Sequence, residues 1–356
     1  MDPRLTTIIE ELRPLLAATY PDLAPDADVD VAERDLRAFT DLVHVRVARI
    51  DGGSRSLVVK SMAPVGPLAE RPRLVARSDG AERLQLEYGA LRMVETRLAV
   101  IDDPTLTAVR AVGILPRSSA LVMEAFDGRP LHRVLVRGLV RREPTLRSTS
   151  LVGAAGRWLR VLHETAVGDR PARQQTRQEI IDAFSALGAY LAPRMTAHDV
   201  GAYVQAGIAA ASVLPDRLPM VVSHGDFAPR NILVDGSGRI AVIDLLARWQ
   251  APPYEDVAGF LVALHTSRAN AVTRGVVFGR ALERLEPAFL AGYYGSEAIP
   301  LSAIRVYELL LVLDRWASRS SREAHERRSK RLRRRSIDAH FAARSRRLVV
   351  RLRQGA

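Results

Sequence analysis

The chain has 356 residues, enough for two compact units, and 47% hydrophobic against 26% charged residues is a soluble globular composition. It contains no cysteine, which excludes disulfides, thiol nucleophiles and cysteine-based zinc or iron–sulfur sites. The formal charge of +12 is local: from Asp314 onward there are fifteen Lys+Arg against four Asp+Glu, so that segment holds +11 and the rest is near neutral.

The opening stretch, "MDPRLTTIIEELRPLL", carries acids among its apolar residues and does not read as a secretory signal. No apolar run approaches the roughly 20 residues needed to cross a bilayer, so a cytoplasmic protein is expected. Residues 1–35 read as a helix followed by a Pro/Asp-rich loop. Two alternating runs follow, "DLVHVRVARI" and "SRSLVVKSM", joined by "DGG", and they predict a β-hairpin. Residues 81–98 predict a helix with the stripe Leu84, Tyr88, Leu91, Val94 and Leu98. "LTAVRAVGIL" and "SALVMEAF" predict strands, and "DGRP" at 127–130 breaks the chain.

After Pro130 the text turns helical, most clearly in "LVGAAGRWLRVLHETA" and in the Ala-rich 177–214. The exception is 219–246, where short β-branched runs flank turns; helices resume near Glu255. The expected organisation is a small α+β unit over 1–126, a helical unit over 127–314, and an Arg-rich helical segment over 315–356. In that last segment Ile337, Phe341, Leu348 and Leu352 mark one face of a basic amphipathic helix.

Chemistry concentrates in "SHGDFAPRN", residues 223–231, and in "AVIDLL" after it. Asp244 lies in an apolar run, where a carboxylate is costly unless compensated, and a divalent cation would compensate it. An Asp with an Asn carbonyl, Asp244 with Asn231, is oxygen-only ligation of the kind Mg²⁺ takes beside phosphates. Asp226 is then free to orient a hydroxyl and accept its proton. Any one of these residues alone also fits a polar turn that caps backbone groups.

Together, H-G-D-x-x-x-x-N followed by apolar-apolar-I-D resembles the aminoglycoside phosphotransferase and choline kinase family of small-molecule kinases. The resemblance spans roughly residues 35–315. It implies a two-lobed protein-kinase-like α+β fold with a β-rich N-lobe and a helical C-lobe, and ATP with Mg²⁺ as cofactors. It makes Asp226 the catalytic base and Asn231 and Asp244 the metal ligands. Asp256 in "YEDVAGFL" and His224 would brace the loop. Lys60, one of only two lysines among 52 cationic residues, would hold the ATP phosphates, with Glu87 as its partner. Backbone groups of Glu124, Ala125 and Phe126 would meet the adenine.

The sequence departs from the family in three places. No G-x-G-x-x-G appears in "ERDLRAFTDL" or "ARIDGGSRS", so the phosphate loop is unassigned. Leu245 follows Asp244 where an aromatic is common, and "APP" stands where a glycine-containing pair is common.

The motifs leave the acceptor open. Polycationic aminoglycosides call for a carboxylate-lined site, and the helical half has few acid clusters, with a sequence pI of about 10.7. A neutral or anionic hydroxyl acceptor is expected: a sugar, a glycan, a lipid-linked intermediate or a metabolite. The alternatives are an aminoglycoside resistance kinase and a catalytically weak pseudokinase or scaffold that works through its basic tail. The Arg-rich segment reads either as a helix packed on the large lobe or as a peripheral contact with anionic membrane through 315–353. Nucleic acid is disfavoured, since Phe341 is the one aromatic after Trp316.

Overall fold

The computed structural model describes residues 2–23, 28–36, 40–62, 80–141, 145–165, 170–266, 279–321 and 328–354. In chain order the first elements are α1 (Pro3–Thr19), β1 (Val29–Leu36), β2 (Thr40–Ala48), β3 (Ser54–Met62), α2 (Gly80–Leu98), β4 (Ala111–Leu115) and β5 (Ala120–Glu124). Then come β6 (Arg129–Pro130), α3 (Leu131–Arg141), α4 (Thr145–His163), α5 (Arg177–Leu191), α6 (Val200–Ala211), β7 (Val221–Val222), β8 (Ile232–Val234), β9 (Ile240–Val242) and β10 (Gln250–Ala251). Helices close the sequence: α7 (Tyr254–His265), α8 (Gly279–Glu283), α9 (Glu286–Tyr294), α10 (Leu301–Ser321) and α11 (Arg328–Gln354). They form two compact units, one drawn from 1–68, 77–128 and 235–246, the other from 69–76, 129–234 and 247–356.

The first unit is a five-stranded antiparallel sheet in the order β1-β2-β3-β5-β4. The predicted hairpin is β2 and β3, with Gly52 at φ 80 in the turn, a backbone state that costs glycine little. β1 falls where the sequence reads as a loop. It is an edge strand, mostly exposed, and a register shift between Val31 and Glu33 breaks the alternation that would have revealed it. Of the two phosphate-loop candidates, the stretch at 33–42 includes 37–39, which lie outside the described residues.

Val43, Val45, Val47, Leu57, Val59 and Val122 form one apolar face of the sheet, packed on Ile8, Leu12 and Leu16 of α1. Strand side chains alternate, so Lys60 leaves β3 on the opposite face from Leu57 and Val59. That alternation places a lysine where α2 can meet it.

In the second unit, α4 and α9 touch backbone to backbone. A Cβ at Gly156 would stand 2.3 Å from the Phe289 carbonyl oxygen, and one at Gly292 would stand 2.1 Å from that of Gly153. Two short pairs hold the 223–231 stretch at its ends: β7 with β10 before it, and β8 with β6 after it. A single core joins Phe184 of α5, Tyr203 of α6, Val262 of α7, Leu313 and Trp316 of α10, and Phe341 and Leu348 of α11. The predicted apolar face of the Arg-rich segment, Ile337, Phe341, Leu348 and Leu352, is therefore spent on this core. Those four side chains are buried, so the face they form is not presented at a surface. Among the described residues no helix is long and apolar enough to cross a membrane.

Buried charges tie α11 to its neighbours. Arg344 donates to Glu308 at 2.7 Å and Glu286 at 3.4 Å, Arg305 pairs with both acids, and His265 Nε2 lies 2.6 Å from Glu286. His340 Nε2 donates to the His265 carbonyl at 3.1 Å. Burial would push the Glu286 carboxyl up, but the His265 hydrogen bond and the charges of Arg344 and Arg305 outweigh it and hold it well below the usual range. Burial, first of all, holds His265 and His340 below the ordinary histidine range.

All three groups bind protons more readily in the unfolded chain, so stability rises with pH wherever they titrate. The urea midpoint is expected to fall as the pH drops below about 6.5, where the two histidines charge in the unfolded state. It should fall again below about pH 4.5, where Glu286 protonates there, and Glu286→Gln should remove part of that second limb. A midpoint flat from pH 7 to 4 would contradict both assignments.

Candidate active site

The first unit brings Lys60, Glu87 and Asp244 together. Lys60 Nζ donates to Glu87 Oε1 and Oε2 at 2.8 and 2.9 Å and to Asp244 Oδ1 at 2.7 Å. The lysine side chain is 5% exposed and so is that of Glu87, while that of Asp244 is 35% exposed. Burial alone would lower the Lys60 pKa; Glu87 and then Asp244 reverse that and raise it, so the amine stays charged. Glu87 reaches the lysine because it borders the buried stripe of α2, Leu84, Leu91 and Val94. Asp244 ends the β9 run at φ 57, a left-handed state that a non-glycine residue rarely adopts.

The three residues at the end of β5 have distinct surroundings. Glu124 is in step with Ala120 and Val122, so its side chain faces α1. There Tyr20 Oη donates to it at 2.7 Å, and Arg55 and Arg110 lie 2.9 and 3.3 Å away. The Ala125 amide donates to the Ser56 carbonyl at 2.9 Å, and the Glu124 amide to the Arg110 carbonyl at 2.9 Å. The Ala125 N–H is thus committed to β3. Alternation turns the Glu124 carbonyl and the Phe126 amide to the side of the strand opposite β3.

The second unit carries the 223–231 loop, and Asp256 is its brace. The carboxylate accepts from the His224 amide at 2.6 Å, the Gly225 amide at 3.1 Å and His163 Nε2 at 3.1 Å. Gly225, at φ 78, makes the turn that points both amides inward. Burial would raise Asp256, but His163 and the His224 amide outweigh it and keep the acid ionised. His163 is itself oriented by Tyr293, whose Oη lies 2.7 Å from Nδ1. The glycine contact of α4 with α9 is what brings His163 and Tyr293 within reach. His224 packs edge-on against Trp158 and Phe227, and its Nδ1 accepts from the Asp226 amide at 3.3 Å. Both predicted braces therefore contact the loop through its backbone.

Asn231 Nδ2 donates to the Asp226 carbonyl at 2.9 Å and to Asp226 Oδ2 at 3.1 Å. With the amide nitrogen so engaged, the Asn231 Oδ1 is directed away from Asp226. Sequence reading missed two cations here. Arg230 Nη2 donates to both Asp226 carboxylate oxygens. Arg315, from α10, donates to Thr266 Oγ1 at 3.1 Å and to the Gly259 carbonyl at 3.3 Å. Arg230 was readable, since it stands inside the motif; Arg315 read only as part of a basic tail.

A sheet with one buried lysine–glutamate pair, and a helical unit with a braced H-G-D-x-x-x-x-N loop, define a two-lobed protein-kinase-like α+β fold. Residues 35–293 match the phosphotransferase enzyme family, and the chain belongs to it. Among solved structures it is similar to a spectinomycin phosphotransferase in complex with ADP and spectinomycin, at 13% identity over 95% of this chain and 98% of that one, with a TM-score of 0.54. It is similar to a choline kinase from Streptococcus pneumoniae, at 11% identity over 96% and 99% of the two chains, with a TM-score of 0.52. A Plasmodium vivax ethanolamine kinase aligns at 11% identity over 98% and 91%, with a TM-score of 0.51. At these identities the likeness is one of fold. No curated protein sequence matches the chain.

Proposed function

We propose that the protein is an ATP- and Mg²⁺-dependent phosphotransferase that moves the γ-phosphoryl group to a hydroxyl of a small molecule. The observation that carries this reading is the buried lysine held between two carboxylates, Glu87 and Asp244. A purely structural ion pair needs one acid. The second, partly exposed carboxylate makes sense where a polyanion and its counter-ion are to be exchanged for the lysine.

Lys60 binds the phosphates, and Glu87 fixes its direction. The carbonyl of Glu124 and the amide of Phe126 orient the base of the nucleotide. Asn231 and Asp244 are the residues that would hold Mg²⁺: an amide oxygen and a carboxylate are oxygen donors of the kind that ion takes. The ion would neutralise charge on the transferred group. Asp226 orients the acceptor hydroxyl and takes its proton as the oxygen bonds to phosphorus and the bond to the ADP oxygen breaks.

Calorimetric titration tests the nucleotide half. Asp244→Ala is expected to remove the Mg²⁺-dependent part of ATP affinity, a loss of at least tenfold. An unaltered titration would take Asp244 out of the metal site. An ATP-consumption screen over sugars, amino alcohols, aminoglycosides and lipid-linked glycans tests the acceptor half.

A further inference from the structure

We propose that the acceptor carries an acidic oxyanion group, a phosphate or carboxylate, near the hydroxyl that Asp226 serves, and that Arg230 with Arg315 receives it. The inference rests on the phosphotransferase reading and concerns the same loop. Arg230 lies four residues after Asp226 and occupies both of its oxygens. The second oxygen also accepts from Asn231 at 3.1 Å. Donors therefore already sit on both oxygens where an acceptor hydroxyl would have to reach Asp226. Arg230 must move off the carboxylate before a hydroxyl can take its place.

Arg230 is free to leave: its side chain is 51% exposed. Arg315 is not. From α10 it is tied to α7 and its C-cap by two neutral acceptors, the Gly259 carbonyl and Thr266 Oγ1, neither of which cancels its charge. Burial, and then repulsion from Arg230, lower its pKa to about 10, against the pull of Asp226; Asp314 and Arg319 act on it with opposite signs. Gly259, whose carbonyl Arg315 holds, lies against the same loop: a Cβ there would stand 3.7 Å from the Phe227 carbonyl oxygen. Arg230, Arg315 and Arg319 against Asp226 and Asp314 leave a local cationic excess that an anion would balance.

An acceptor bearing an acid group completes it by exchange. Arg230 turns from Asp226 to the oxyanion, a geometry its planar fork suits, and Asp226 is released toward the hydroxyl. A neutral alcohol offers Arg230 nothing in return. A polyamine is repelled by both guanidiniums. Selectivity arises here from what the acceptor must supply to free the base.

The test is a titration of inorganic phosphate into the full-length protein saturated with Mg²⁺ and an uncleavable ATP analogue, so that the γ-phosphoryl position is filled. One phosphate is expected to bind. Its affinity should fall about tenfold or more in Arg230→Ala and in Arg315→Gln, with Arg230→Lys recovering part of it. Phosphate that binds only when the analogue is absent would assign the cations to the transferred group and overturn the proposal. Absence of phosphate binding would overturn it as well. Failure of the analogue itself to bind would instead overturn the phosphotransferase reading. In the acceptor screen glucuronate should outrun glucose at least tenfold in kcat/KM, and Arg230→Ala should collapse that ratio; a screen in which only amino alcohols or aminoglycosides react sinks the idea. Where neither sugar turns over, the phosphate titration decides.

Discussion

Asp226→Asn is expected to lower turnover about 10³-fold, inside the range a positioned base contributes, while nucleotide affinity stays close to that of the native protein. The exchange is nearly isosteric. It spares the Asp226 backbone carbonyl that Asn231 holds at 2.9 Å and the amides that Asp256 braces. It does not alter the hydrogen bonds of Lys60 to Glu87 and Asp244, which lie within the other unit. What it removes is the proton acceptor and the partner of Arg230. Steady-state ATP consumption beside a calorimetric nucleotide titration separates the two effects. Turnover equal to that of the native protein would exclude Asp226 from the mechanism, and lost nucleotide binding would mean that the variant had disturbed the fold instead.

Ending the chain after Ser336 should unfold the second unit. The deletion removes Ile337, Phe341, Leu348 and Leu352 from its core. At about 1.5–3 kcal/mol per fully buried large apolar side chain, these four account for about 6–12 kcal/mol. That is comparable to the whole stability of a typical domain, about 5–15 kcal/mol. The deletion also removes Arg344, leaving the buried acids Glu308 and Glu286 one cation poorer. Arg344→Met isolates that last part and is expected to cost about 3 kcal/mol, because it strands buried charge. Circular dichroism and thermal unfolding check both. A truncated protein that still melts cooperatively within a few degrees of the full chain would show that α11 is an accessory.

Much of this was legible in the sequence, for local reasons. The β2–β3 hairpin announces itself by alternation around Asp-Gly, and α2 by its stripe, because both patterns are complete within about twenty residues. β1 was hidden by its bulge. Asp226, Asn231 and Asp244 stand out because their spacing is short and their neighbours apolar. Lys60 stands out only because this chain uses arginine almost everywhere else. The brace on Asp256 was half visible: the acid shows in "YEDVAGFL", but His163, 93 residues earlier, reaches it through a helix contact set by glycines. No single stretch encodes that contact. Arg315 was misplaced for a related reason. Composition marks the segment as basic and cannot say which arginine turns inward. Net charge left the tail two readings, and the buried apolar face supports the one in which the helix packs on the large lobe.

The scarcity of lysine has a practical consequence. A lysine-specific protease finds just two bonds to cut, after Lys60 and after Lys330. The first lies in β3, the middle strand of five, with a side chain that is 5% exposed. A folded sheet denies that bond to a protease, so cleavage there requires the first unit to open. The rate at which the 60–61 bond is cut therefore clocks the opening of that unit alone, without a label and without a mutation. If nucleotide engages Lys60, saturating ATP analogue should slow that clock.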